Sequence, residues 1–240
     1  MLLLPKTIGP ITLVRKLGTG GVAESYAGTL HGARTRNVVV RRVLPYVLKD
    51  PERLSLLEDR IRDLLGLDHP HLVRLVEWVV DGDDRYIVEE QVDGIDLQRL
   101  LKWCRANNTP LPGNVYLNLA TQICNGLEAL HGSRGRGTGA ETVVHLGLKP
   151  NSIFVGPDGQ VLLGGYGLTP SPTLLPQGGD GGAAVPFRME YLSPEQTLGE
   201  RSPSPASDIF SLGAILYELL TLEPLFRADT GLQTIHRIRR

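Results

Sequence analysis

The stretch Val144–Val155 reads Val-His-Leu-Gly-Leu-Lys-Pro-Asn-Ser-Ile-Phe-Val, and its residue types bear most directly on chemistry. Its pattern is a short loop between two apolar runs. Gly147 and Pro150 punctuate it, and Ile153–Val155 predicts a strand. What it offers chemically is limited. Gly147 has no side chain to take a proton or hold a cation. Ser152 presents a neutral hydroxyl, a much weaker ligand for a hard cation than a carboxylate or amide oxygen. Elsewhere, Glu89 falls inside the strand-like run Arg85–Val92, where a buried carboxylate requires a cationic partner or a raised pKa.

The elements that must position these groups follow from pattern. Ile11–Leu17 and Val22–Ala27 predict a β-hairpin whose tip is Gly18-Thr19-Gly20-Gly21. Val38–Val43 predicts a third strand. Leu72–Val80 and Arg85–Val92 predict a second hairpin across Asp81-Gly82-Asp83-Asp84. Pro51–Leu67 predicts a helix, with Pro51 in the first turn and Leu54, Leu57, Ile61, Leu64 and Leu65 at helical spacing. Leu97–Ala106 and Val115–His131 predict amphipathic helices, and Asp96 suits the N-cap of the first. Pro157-Asp158-Gly159 reads as a hairpin turn. The run from Asp208 to Leu220 is the most apolar helix, with apolar residues on more than one face, which predicts burial.

Composition removes several function classes. The 240 residues suffice for a large core, and 41% hydrophobic content is ordinary for a globular protein. A net charge of -1 gives no electrostatic footprint for nucleic acid or an anionic membrane. The short basic cluster Arg237, Arg239, Arg240 reads as a solvated helix end. Met1–Leu4 is stopped by Pro5, too short for a signal peptide, and no apolar run has membrane-spanning length. Cys104 and Cys124 share no short spacing, which fits a reduced, cytoplasmic protein. The 28 glycines and 17 prolines cluster at 132–139, 156–182 and 199–205, predicting loops there.

Taken in order, these segments resemble a protein kinase of the bacterial eukaryotic-like Ser/Thr type. The tip with Gly18 and Gly20 is similar to the family's phosphate-covering Gly-x-Gly-x-x-Gly-x-Val loop, with Ala23 at the third glycine and Ser25 at the valine. Val38–Val43 resembles the strand whose lysine pairs the nucleotide phosphates. Arg41 stands at that lysine, and Val39 at the alanine beside adenine. Leu67-Asp68-His69-Pro70-His71 resembles the junction after the family's helix C, which puts Arg60 at the conserved glutamate and Glu89 at the gatekeeper. Val144–Val155 resembles the catalytic loop His-Arg-Asp-Leu-Lys-Pro-x-Asn: Leu146 replaces the arginine, Gly147 the base and Ser152 the metal-binding asparagine. Gly165-Tyr166-Gly167 stands at Asp-Phe-Gly, and Ser193-Pro194-Glu195 at the closing Ala-Pro-Glu. Asp208 matches an aspartate that accepts backbone N–H bonds from the catalytic loop. Thr169, Ser171 and Thr173 fall in the activation-segment region and read as loop residues, because Leu146 cannot hold a phosphate.

The resemblance implies an α+β, bilobal kinase-like fold. A small antiparallel sheet with one helix occupies residues 1–92, and a mainly helical lobe occupies 93–240. The family's last helices are missing, so the chain is expected to be part of a longer protein. The surviving positions, such as His145, Pro150, Glu195 and Gly213, are architectural, and the lost ones are chemical. The expected function is therefore a pseudokinase, a protein-binding or regulatory module without metal or cofactor and with an unnamed protein partner. A metal-independent ATP-binding switch is the second expectation and a weakly active atypical kinase the third. The vestigial nucleotide site would comprise Gly18, Gly20, Val39, Arg41, Glu89, Asp96, Lys149 and Phe154. Within it, Glu89 is expected to pair with Arg41, Arg60 or both.

Overall fold

A computed structural model describes residues 2–133, 142–166, 189–198 and 204–240. Their contacts divide into two compact units. The described residues up to Asp68, with Val73–Gln91, form the first; His69–Leu72 and those from Val92 onward form the second.

The first unit is a six-stranded antiparallel sheet with two helices. Its strands are β1 (Lys6–Ile8), β2 (Ile11–Thr19), β3 (Ala23–Leu30), β4 (Arg36–Val43), β5 (Leu75–Asp81) and β6 (Asp84–Glu90), and the spatial order is β1-β2-β3-β4-β6-β5. The helices are α1 (Pro45–Leu48) and α2 (Pro51–Leu64). Strand periodicity sets the core. Alternate residues Ile11 and Leu13 of β2, Val38 and Val40 of β4, and Tyr86 and Val88 of β6 turn inward and join Ile8 and Tyr26 in one buried cluster. Asp50 caps α2 by accepting the Arg53 N–H at 3.1 Å, and Pro51 opens the first turn.

Several details of the first unit depart from expectation, among them a β5 that begins at Leu75 rather than Leu72. Strand β1 and helix α1 were not predicted, so the Val38–Val43 strand is the fourth and the sheet carries two helices. Helix α2 stops at Leu64 rather than Leu67, because Leu65 turns extended and Gly66 takes a φ of 90°, a left-handed value that glycine tolerates without a Cβ clash.

The second unit is mainly helical. It contains a small sheet of β7 (Ile95–Asp96), β8 (Ile153–Val155) and β9 (Val161–Leu163) in that order. Its helices are α3 (Leu97–Ala106), α4 (Gly113–Gly132), α5 (Pro194–Leu198), α6 (Pro205–Thr221) and α7 (Gly231–Ile238). Leu97, Leu101 and Cys104 bury one face of α3 at i, i+4, i+7 spacing. Leu119, Ile123, Leu127 and Leu130 do the same for α4. At Gly126 the helix closes on β9: a Cβ there would meet Leu163 Cδ1 at 2.8 Å and the His71 carbonyl at 3.0 Å.

The predicted burial of α6 holds for part of its circumference. Leu212, Ile215 and Leu219 are buried, but Ile209, Gly213, Tyr217 and Leu220 form an exposed stripe at spacings of four, four and three. The basic end of α7 is not simply solvated either, since Arg239 donates from Nε to Thr197 Oγ1 at 2.9 Å. No helix among the described residues is long and apolar enough to cross a membrane.

Candidate functional site

In the first unit, antiparallel register builds the site. Val39 of β4 lies opposite Glu89 of β6, and Arg41 lies opposite Ile87. Arg41 and Glu89 are therefore diagonal neighbours on one face, within reach of long side chains. On the other flank, Arg41 faces Ser25 of β3. The result is a two-pronged ion pair: Arg41 Nε donates to Glu89 Oε1 at 2.7 Å, and Nη2 donates to Oε2 at 2.8 Å. Arg41 Nη1 also donates to Ser25 Oγ at 3.4 Å. The Glu89 side chain is 4% exposed and that of Arg41 23%. Burial acts against the guanidinium's charge, but the facing carboxylate outweighs it and raises the Arg41 pKa. The planar fork fits a carboxylate in a way an ammonium does not. Arg60 lies half-buried on α2.

Gly18 sits in β2 opposite Ser25, and Gly20 donates its N–H to the Ala23 carbonyl at 2.8 Å, closing the tip. Neither has a left-handed φ, and a Cβ at Gly18 would meet nothing within 4 Å. The chain's own packing thus does not require glycine at Gly18.

In the second unit the organising group is Asp208, buried near the start of α6. Its Oδ2 accepts the His145 N–H at 2.8 Å, and its Oδ1 accepts the Leu146 N–H at 2.9 Å. His131 of α4 donates from Nε2 to the same Oδ2 at 2.8 Å. Leu146, between those bonds, holds a φ of 64°, a left-handed value costly for a branched side chain. Its backbone is over-determined, because the Leu146 carbonyl also accepts from Gln196 Nε2 at 2.9 Å. The imidazole of His145 is fully buried, and that burial pushes its pKa down, so it is neutral near pH 7. Its Nδ1 accepts the Gly147 N–H at 3.3 Å, and its ring meets that of Tyr166 edge-on at 6.1 Å.

The loop's remaining groups are used in holding it. Ser152 Oγ donates to the Lys149 carbonyl at 2.8 Å and accepts the Lys149 N–H at 3.1 Å. Ser152 is buried. Gly147 and Gly165 offer only backbone atoms, and Gly165 takes a φ of 72°. This donor set does not fit a divalent cation, and among the described residues no three His, Cys, Asp or Glu side chains gather in a metal-holding group. Asp96 pairs in register with Phe154 across β7 and β8, and its carboxylate caps α3 by accepting the Arg99 N–H at 2.9 Å. Phe154 is half-buried, and Asp158 sits in the turn between β8 and β9, as its sequence predicts.

Each unit thus assembles part of the predicted set: Arg41 with Glu89 in the first, and Lys149 with Ser152 and Asp96 with Phe154 in the second. The roles of Gln196 and His131 were not foreseen. Gln196 acts across 50 residues of sequence, which no local pattern signals. Gly167, Thr169, Ser171 and Thr173 lie outside the described residues.

Comparison with known proteins bears on the whole chain. The family model "Protein kinase domain" matches residues 11–240. The chain is 30% identical to tyrosine-protein kinase MasK of Myxococcus xanthus, over 96% of its own length and 35% of that protein. It is 32% identical to a probable serine/threonine-protein kinase of Streptomyces coelicolor, over 93% of its length and 31% of that protein. The chain thus spans about a third of the length of these curated relatives. Its fold matches the crystal structure of the Mycobacterium tuberculosis PknI kinase domain with a TM-score of 0.70 at 20% identity, covering 94% of this chain and 79% of that one.

Proposed function

We propose, from the premise that this chain belongs to the protein kinase domain family, that it is a pseudokinase: a catalytically inactive domain that works by binding protein partners. The observation that carries this reading is the Arg41–Glu89 pair. The cation at the position of the phosphate-binding lysine is already neutralised within its own sheet. Any phosphate it took up would have to outcompete a buried bidentate carboxylate.

The loop residues support the same reading. Phosphoryl transfer rests on positioning and on charge neutralisation by metal. Gly147 cannot act as base, and loss of a general base costs typically about 10²–10⁴-fold. Gly165 has no side-chain carboxylate to ligate metal, and the Ser152 hydroxyl is engaged with Lys149. No magnesium site and no cofactor enter this proposal. The named kinase activities of MasK and the Streptomyces relative are theirs, and at about 30% identity they do not carry over onto positions where the chemical groups differ.

One observation favours a second reading, a metal-independent nucleotide switch: the first unit's packing does not require glycine at Gly18, so an external phosphate remains a reason for it. A thermal-shift titration with ATP, with and without magnesium or manganese, separates the readings. No shift is the expected result. A metal-independent shift would favour the switch. A metal-dependent shift with label transfer to substrate would overturn the proposal.

A further inference from the structure

We infer that residues 2–8 form a strap that joins the two edges of the six-stranded sheet and so holds β6, with Glu89, in register. These residues precede the family-matched region, which begins at residue 11. Strand β1 is only three residues long and pairs with β2 at one edge of the sheet, while β5 is the strand at the opposite edge. Lys6 nevertheless reaches that far side: its Nζ lies 3.0 Å from Asp81 Oδ2, 3.8 Å from Asp84 Oδ2, and donates to Tyr86 Oη at 2.9 Å. It also stands 5.4 Å from the centre of the Tyr86 ring, a cation–π distance.

A second, independent contact has the same sense. Leu2 and Leu4 pack against the buried cluster of the sheet, which Val76 and Val79 of β5 also join. The strap therefore closes the sheet twice, through apolar packing and through charge. Its ionic end continues inward: Tyr86 donates to Asp84, and Asp84 accepts from Arg42 Nη2 at 2.8 Å. Arg42 neighbours Arg41 on β4, and Tyr86 lies opposite Arg42 in the ladder. Holding Tyr86 thus fixes the β4–β6 register on which the diagonal Arg41–Glu89 pair depends. The inference concerns the sheet alone and stands whether or not the domain transfers phosphate.

Hydrogen exchange on the whole chain tests it. Lys6→Glu is expected to raise exchange across Leu75–Glu90 by about tenfold or more, leaving α4 and α6 unchanged. Lys6→Glu combined with Asp81→Lys is expected to recover most of that protection. Arg62→Glu, which breaks only the exposed pair with Asp59, is expected to leave Leu75–Glu90 as it was. If Lys6→Glu does not fold, Lys6→Met provides a second measurement. Exchange across Leu75–Glu90 in the unaltered chain should rise between about 0.05 and 0.5 M salt, and in Lys6→Met that rise should be absent. Unchanged exchange at Leu75–Glu90, an equal rise in α4 and α6, failure of the charge swap to restore protection, or an identical salt response in Lys6→Met would each overturn the inference.

Discussion

The Arg41–Glu89 pair permits a quantitative test. Replacing Glu89 with leucine leaves a guanidinium with three-quarters of its side chain out of water and no carboxylate to face. Breaking a buried pair by removing one partner costs about 3–5 kcal/mol. Because Arg41 keeps 23% exposure and can draw in some water, we expect a cost somewhat below that range, about 2–4 kcal/mol. For a chain of this size that is a fall in Tm of about 5–15 °C. Arg41→Met alone strands the carboxylate at 4% exposure and should cost at least as much. The double variant Arg41→Met/Glu89→Leu buries neither charge and should lie within about 1–2 kcal/mol of the parent. The resulting coupling energy is at least about 2 kcal/mol. Urea titration in a Trp103→Phe background, with Trp78 of β5 reporting on the sheet, gives each corner of the cycle. Additive single costs, with coupling below about 0.5 kcal/mol, would refute the reasoning that the two groups are held by each other.

Other perturbations follow from the loop. Asp208→Ala removes the acceptor for the His145 and Leu146 amides and should destabilise the second unit by about 3–5 kcal/mol in urea titration. Gly165→Ala, at a φ of 72°, should cost about 1–2 kcal/mol in thermal melts, and Gly165→Asn less, since asparagine tolerates that region. If the proposed function holds, placing acids at both positions in Gly147→Asp/Gly165→Asp should leave phosphoryl transfer undetectable by radiolabel, because Ser152 and Arg41 remain engaged. His145 has a folded pKa depressed by burial, so its contribution is complete above the unfolded value near 6.5 and is lost as pH falls below it. Stability should therefore fall by up to about 1.4 kcal/mol per pH unit below pH 6.5, and less steeply in His145→Asn.

Much of the fold was legible because period and punctuation agree. Helix α3 has the bounds its apolar spacing predicts, and β8 follows the short run at Ile153. That Glu89 needs a partner could be inferred because a carboxylate in an apolar strand demands a cation; the resemblance left Arg41, Arg60 or both as candidates, and the β4–β6 register brings Arg41 to it. What escaped was non-local. Strand β1 is too short to show alternation, and it exists only because β2 provides an edge and Lys6 finds Asp81. The left-handed Leu146 contradicts its residue type and is imposed by Asp208 and Gln196, 62 and 50 residues away. The exposed stripe on α6 likewise reflects tertiary packing, since the helix's composition alone predicts burial all round.

The hold of Asp208 on the loop bears on how much its side chains can vary. It grips main-chain amides, which every residue but proline carries, and so it is blind to the side chains above them. A segment fastened in that manner can exchange its functional groups one at a time while its trace through space stays put. The trace of the loop is thereby set apart from the side chains it carries, and a change in the second need not disturb the first.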